Sequence, residues 1–405
     1  SKFIILFILN SFICLANKVF NKIDLFVIII SKKCFKSAES RGINLVWSKE
    51  KAWEWYNSQP WIRGCNFMGS DCANRVDQWQ SYGFEDRLET AKREFSAVAD
   101  LGFNSIRLIL QFEVWDKEHD AFMENFDRYL SAAYSYGITA MICFGNDCAV
   151  PKENYKEPEL GPQNVDWGWH GGRRYSPHGE LTGSGYSILD DPDKNARFCE
   201  MVSEIVTKYA HDKRICIWDI FNEPGNSKRG NKSLGYMEHF FQIARAAEPE
   251  QPLTAGIWRS DLVIAGEMTE IERRAAELSD IISFHCYETL PDTVVLLSIL
   301  ENYGRPLVCT EWLLRITGQS VQDIFPLFFS KKIACYNWGF VAGKYQTYEP
   351  WNILWEKYDK GKRDSLDFTK WQHDLLRPNL RPYDPKETEL IRRLCEVADK
   401  KAKIE

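Results

Sequence analysis

The chain has 405 residues, a formal net charge of -6, 44% hydrophobic residues and 27% charged residues. That balance supplies apolar mass for a substantial core and excludes a disordered or fibrous chain. No Lys/Arg run interleaved with aromatics occurs, so a phosphate-backbone surface is excluded and nucleic acid is not an expected partner.

The N-terminus opens on an apolar run, Phe3 to Cys14, which follows Lys2 and precedes Leu15 and Ala16. It is patterned like the apolar stretch of a signal peptide. A second run covers Leu25 to Ile30, and neither is long enough to span a bilayer. Ile13 stands before Cys14 where a lipoprotein signal wants a small residue. Residues 1–40 read equally as a signal peptide, which implies secretion, or as a non-native extension, which implies a cytoplasmic protein. The remainder, 41–405, reads as one domain.

From about Trp47 onward, helix-patterned segments alternate with short apolar runs, the pattern of βα units around a parallel sheet. Eight runs qualify as strands. In order they are Cys65 to Met68, Phe103 to Leu110, Ile138 to Phe144, Ile215 to Phe221, Leu253 to Ala255, Ile281 to Cys286, Pro306 to Thr310 and Ile333 to Asn337. Apolar residues recur at three and four over Asp86 to Asp100, Ala121 to Tyr136, Lys194 to His211 and Thr293 to Tyr303, which predicts helices between the strands. A helix from Glu387 to Lys400 would close the ring. Gly102, Gly137 and Gly304 stand where a helix ends and a strand begins, positions that favour a residue with positive φ. Eight strands in this order predict an α/β fold, a (β/α)8 TIM barrel forming a single catalytic domain. Two long segments rich in Gly, Pro and aromatics, Asn146 to Asp190 and Gly339 to Arg381, are expected as loops after the third and eighth strands.

Twelve cysteines and fifteen tryptophans are present. Cys143, Cys216, Cys286, Cys309 and Cys335 fall in strand-like apolar runs, where a free thiol acts as a small hydrophobe. No pair has the C-x-x-C spacing of a zinc or redox site, so free thiols and no cysteine-bound metal are expected.

Catalytic residues of such a barrel sit at the C-terminal ends of its strands. The fourth strand ends in Asp219-Ile220-Phe221-Asn222-Glu223-Pro224 and the seventh in Cys309-Thr310-Glu311-Trp312. The two glutamates lie three βα units apart, which sets them across one mouth. Glycoside hydrolysis needs one carboxylic acid to protonate the leaving oxygen and a second carboxylate to attack. Glu223 is the candidate acid/base and would need a raised pKa. Glu311 is the candidate nucleophile and must stay ionised. Asn222 stands where it would hold the sugar 2-hydroxyl.

Asn222-Glu223-Pro224 with the later Glu311-Trp312 resembles the barrel clan of retaining glycosidases that includes glycoside hydrolase family 5. The resemblance runs from about residue 60 to residue 340. It implies that Arg107, in Asn104-Ser105-Ile106-Arg107-Leu108, supports the nucleophile. In Phe284-His285-Cys286-Tyr287 it implies that His285 contacts substrate and that Tyr287 hydrogen-bonds the nucleophile. It also implies that Trp338 floors the first sugar subsite. The third strand departs from the family's usual Asp-x-His ending and reads Cys143-Phe144-Gly145-Asn146-Asp147, so Asp147 is the candidate for that place. Trp167 to Arg174 matches no familiar cellulase or mannanase loop. The resemblance implies no metal or organic cofactor, and an oligo- or polysaccharide substrate with β-1,4 linkages, glucan ahead of mannan and xylan.

Each residue also has a plainer reading. Arg107 could pair with a buried carboxylate. His285 and Tyr287 alternate on one strand face and could be core. Trp115, Trp258, Trp312, Trp351 and Trp355 divide between packing and sugar stacking, with Trp258 at the catalytic face after the fifth strand. His170 and His178 belong to the long third loop. Rival functions are an exo-acting β-glycosidase or transglycosylase on the same glutamates, and a carbohydrate-binding barrel without catalysis. Oligomeric state leaves no mark in the sequence.

Overall fold

The computed structural model describes residues 46–165, 183–362 and 364–402. The expectation for residues 1–40, together with Trp167 to Arg174, His170 and His178, lies outside them. Trp47–Glu405 forms one compact unit.

Eight parallel strands build it: β1 Arg63–Asn66, β2 Ser105–Ile109, β3 Thr139–Asn146, β4 Ile215–Asn222, β5 Leu253–Ala255, β6 Ile282–Cys286, β7 Leu307–Trp312 and β8 Ala334–Asn337. They pair in the order β5-β4-β3-β2-β1-β8-β7-β6. The remaining seam is spanned just past β5, where Ile257 N donates to Ser283 O at 3.1 Å and His285 N donates to Ile257 O at 2.8 Å. The result is the expected (β/α)8 barrel. All eight strands overlap the expected runs, because strands buried on both faces read as nearly unbroken apolar runs, although β1 begins two residues earlier than Cys65.

The lower interior of the barrel is filled by Met141, Ile217, Ile281, Val308, Ala334 and Tyr336. Tyr336 and Ser105 share a hydrogen bond of 2.8 Å within this layer. Helix Lys49–Ser58 brings Tyr56 against it, with the phenol oxygen accepting from Ala334 N at 2.7 Å. The outer helices bury a separate apolar face, for example Leu88, Phe95 and Val98 of helix Phe84–Asp100. Gly102, Gly137 and Gly304 have φ of 88°, 75° and 66°, as their place after a helix demands. Gly64 is small for a different reason. A Cβ built on it would stand 1.8 Å from Ser105 O of the paired strand. Gly64→Ala is therefore expected to lower stability by about 3 kcal/mol, within the range of overpacked cores, as read from a urea denaturation midpoint.

Two details depart from expectation. β3 and β7 run further than their apolar runs, because Asn146 pairs with Asn222 of β4 and Glu311 with His285 of β6. Glu311 thus lies inside a strand, paired with β6 where the β7–β8 register shifts. The segment after β8 contains a helix, Asn352–Asp359, whose only buried residue is Leu354. So short an element with one core contact leaves no apolar stripe to detect. No helix among the described residues is long and apolar enough to cross a membrane.

Candidate active site

Arg107 rises from β2 into the centre of the barrel mouth and is fully buried. Its Nε and Nη2 donate to Asp219 Oδ2 at 2.8 and 2.7 Å. Its Nη1 donates to Asn66 Oδ1 at 2.8 Å and Glu311 Oε1 at 2.9 Å, and its Nη2 also to Asn222 Oδ1 at 2.6 Å. One guanidinium thereby ties the ends of β1, β2, β4 and β7. Burial opposes its charge, but Asp219 and Glu311 outweigh that and keep it firmly protonated.

Glu311 faces Glu223 across this hub. Its second oxygen, Oε2, accepts from Tyr287 Oη at 2.8 Å. Glu223 Oε1 lies 2.7 Å from His285 Nδ1, and the same nitrogen is 3.4 Å from Glu311 Oε2. Ligand atoms of Glu223, His285 and Glu311 all fall within 4.8 Å of one another. Among the described residues this is the only group of His, Cys, Asp and Glu close enough to share an ion. With Arg107 already on Glu311, its geometry equally suits movement of a proton between two acids.

The backbone bends sharply beside both carboxylates. Glu223 has φ of 47° and Leu313, two residues past Glu311, has φ of 85°. Left-handed conformations of non-glycine residues cost about 1–3 kcal/mol and persist where surrounding contacts over-determine them. At Glu223 those contacts come from Asp147. Its carboxylate accepts from Gly225 N at 2.7 Å and Ser233 Oγ at 2.9 Å and pairs with Arg229 Nε at 3.0 Å. Asp147 is completely buried, so the expectation that it contacts substrate is corrected: it anchors the loop that carries Glu223. Trp258 braces the same loop, with Nε1 donating to Pro224 O at 3.1 Å, and Arg259 covers its ring at 5.4 Å.

His285 also stands differently from its expected place. It is 1% exposed and turned to the two carboxylates rather than to the open cleft. Burial works against its protonation, but Glu311 and Glu223 hold its pKa above the ordinary imidazole range. Burial likewise opposes the charge of Glu223, yet His285, Cys148 and Asn226 bring its pKa down to about 2. Burial pushes Glu311 up; Glu223 adds to this, while His285, Arg107 and Tyr287 oppose it. The imidazole nitrogen, 2.7 Å from Oε1, is the group placed to exchange a proton with Glu223.

Asn222 is buried and engaged by Arg107 and, through Nδ2, by Asn146 Oδ1 at 2.9 Å. Trp338 is 9% exposed and packs with Ile109 and Cys143, with Tyr287 and Tyr345 alongside. It lines an open cleft together with Asn66, Arg75, Arg107 and Tyr345. Trp115 and Trp312 are buried in the core, whereas Trp351 packs edge-on against Tyr287. The site thus brings together Arg107, Asn222, Glu223, His285, Tyr287 and Glu311, with Trp338 at its side and Trp258 behind Pro224. Sequence reasoning passed over Asn66, Cys148, Asn226 and Asp219. Asp219 alone carried a signal, as a lone charge inside an apolar strand, which demands a buried partner.

Comparison with known proteins bears on the family and the fold. A family model described as cellulase, glycosyl hydrolase family 5, matches residues 63–339. No curated protein matches the chain in sequence. Among solved structures, the exo-β-1,4-mannosidase Op5Man5 from an Opitutaceae bacterium is similar at 17% identity and TM-score 0.50, over 84% of this chain and 60% of that one. GH5_18 from Streptomyces cattleya, solved with GlcNAc, is similar at 11% identity and TM-score 0.53, over 84% of this chain and 80% of that one. A family 5 mannosidase from Rhizomucor miehei is similar at 14% identity and TM-score 0.50, over 84% and 94%.

Proposed function

The chain belongs to glycosyl hydrolase family 5, a retaining family, and we propose that it cleaves β-1,4-linked glycans with Glu311 as nucleophile and Glu223 as general acid/base. The observation that carries this reading is the approach of the two carboxylates to within 4.8 Å across the barrel mouth. Retaining glycosidases hold their pair about 5 Å apart, whereas inverting ones leave room for a water between more distant groups.

In the first step the proton on His285 Nδ1 passes over 2.7 Å to Glu223 Oε1. This converts an ion pair into a neutral acid and a neutral imidazole without changing the number of protons. A sugar entering the cleft displaces water and favours the uncharged pair. Glu311 then attacks the anomeric carbon while the glycosidic C–O bond breaks and Glu223 gives its proton to the departing oxygen. In the second step Glu223 takes a proton from water, the water oxygen bonds to the anomeric carbon, and Glu311 is released. Arg107 and Tyr287 keep Glu311 anionic and oriented. Asn222 is the candidate donor to the 2-hydroxyl and Trp338 the candidate floor of the first subsite.

The pH dependence follows with its sign. Glu311 sits above the ordinary carboxylate pKa, so activity falls as pH drops through that value and the nucleophile takes up a proton. The proton shared by His285 and Glu223 is held above the ordinary imidazole pKa, so activity falls again as pH rises through it. A bell-shaped kcat/KM profile is expected, with its acid limb above about 4.5 and its alkaline limb above about 6.5. A profile flat through pH 8 to 10 would remove His285 from the scheme.

Glucan and mannan are the leading substrates. The resemblance carried by the strand ends supports glucan, and the solved neighbours that act on β-mannosides support mannan. Exo action is the second reading, favoured by one contact. Lys344 N donates to Ser70 O at 2.9 Å, tying the loop after β8 to the loop after β1 at one end of the cleft. The testing experiment is hydrolysis of β-1,4-glucan, mannan, xylan and their oligosaccharides, with product length and anomeric configuration followed by NMR. Release of single sugars with retained configuration supports exo action, and longer products support endo cleavage. Inverted products, or turnover unchanged in Glu223→Gln, would overturn the proposal.

A further inference from the structure

We propose that Cys148 and Asn226 form an uncharged clamp on Oε2 of Glu223, which reserves Oε1 as the oxygen that carries and delivers the catalytic proton. The inference rests on the reading of Glu223 as the acid/base. Cys148 Sγ lies 2.8 Å from Glu223 Oε2, and Asn226 Nδ2 donates to the same oxygen. His285 Nδ1 holds the other oxygen, Oε1.

The direction of each contact can be assigned. Two amide nitrogens, Asn222 Nδ2 and Asn226 Nδ2, approach the sulfur at 3.5 Å, and an amide NH2 only donates. An ionised Glu223 only accepts. The sulfur therefore receives contacts on its lone pairs and directs its one hydrogen to Oε2. Burial and the charge of Glu223 push the thiol well above its ordinary pKa, so it stays protonated and serves as a donor rather than a nucleophile.

The clamp is fixed in place. Cys148 N donates to Asn146 Oδ1 at 3.0 Å, and Ala149 N donates to Ser227 Oγ at 2.9 Å. With Asp147 on Gly225, these bonds lace the segment after β3 to the loop that carries Glu223. A proton on Oε2 would face two donors, whereas a proton on Oε1 faces a nitrogen that can accept once it has given its own up. The titratable and charged groups facing Glu223 are His285, Glu311 and Cys148, with Arg107 behind Glu311 and Tyr287 beyond it.

Cys148 and Asn226 are thus positioning residues that keep the conjugate base of Glu223 stable and make the acid strong. Losing either donor leaves a weaker acid. Its effect appears where the leaving group needs a proton and fades where it does not. For Cys148→Ala, kcat on a disaccharide, which starts from the sugar-bound neutral acid, is expected to fall about 30-fold, a fraction of the roughly 10²–10⁴ that general acid catalysis contributes. On a dinitrophenyl β-glycoside it falls far less, and the alkaline limb of the pH profile moves to higher pH. Cys148→Ser, which keeps a donor, restores both, and Asn226→Ala repeats the alanine result at a second position.

If Glu223→Gln is inactive on the disaccharide while Cys148→Ala and Asn226→Ala lose activity equally on both leaving groups with an unmoved alkaline limb, the clamp is overturned and the acid/base assignment survives. If Glu223→Gln itself still turns over the disaccharide, the underlying reading fails, and the clamp with it. Should Cys148→Ala not fold, Cys148→Ser and Asn226→Ala carry the same comparison.

Discussion

Glu311→Gln is expected to lower kcat by a factor of about 10⁴ or more on every glycoside the protein cleaves, the scale seen when a nucleophile is removed from a covalent mechanism. The substitution keeps the size of the side chain and its contact with Tyr287, but it removes the attacking oxygen anion and half of the charge that faces Arg107. Glu223→Ala should behave differently. An aryl glycoside with an acidic phenol still forms the glycosyl-enzyme, and the trapped intermediate turns over when azide enters the space left by the carboxylate. The azide attacks the face opposite Glu311, so the product is the β-glycosyl azide. Azide acting on Glu311→Ala takes the nucleophile's own side and gives the α-product. Mass spectrometry and NMR of these products assign the two roles independently. Near-wild-type turnover by Glu311→Gln would remove the nucleophile from the scheme altogether.

Arg107→Met is expected to cost both stability and activity. The guanidinium is completely buried and neutralises Asp219 and Glu311, which are 0% and 5% exposed. Removing one partner of a buried ion pair leaves an uncompensated charge, at a cost of about 3–5 kcal/mol. A urea denaturation series would show this as a fall in midpoint at unchanged slope. Without Arg107 the nucleophile loses a cation that lowers its pKa, so Glu311 rises further and the acid limb of the activity profile moves to higher pH. Adding Asp219→Asn removes one of the stranded charges. The double variant should recover part of the lost stability while its activity stays low, because Glu311 and Asn222 stay without their shared donor. Additive losses in the two variants would show that Arg107 and Asp219 are not energetically coupled.

The barrel itself was legible because its strands are buried on both faces and therefore read as compact apolar runs. The glycines that end three helices marked the joints between them. The segment Asn352–Asp359 was not legible, since eight residues with one core contact carry no periodicity. The strand ends at Asn222-Glu223 and Glu311-Trp312 were legible as polar residues closing apolar strands. Asp147 illustrates the converse. It also closes a strand, and the sequence cannot distinguish a carboxylate that faces the cleft from one that turns back to Arg229 and Ser233.

By itself, then, the sequence determined the eight-stranded barrel and the two carboxylates that close strands four and seven, while the arginine, histidine and tyrosine beside them came from the family resemblance. Strand burial and strand order are local properties of the chain, and they set those residues at one mouth. Only the tertiary structure decided which carboxylate the imidazole faces, that Asp147 braces rather than binds, and that a thiol and an amide hold the far oxygen of Glu223. Those outcomes depend on distances of a few ångströms between loops far apart in sequence. Proton location in a buried cluster follows from such distances, because burial and neighbouring charges together set each group's pKa.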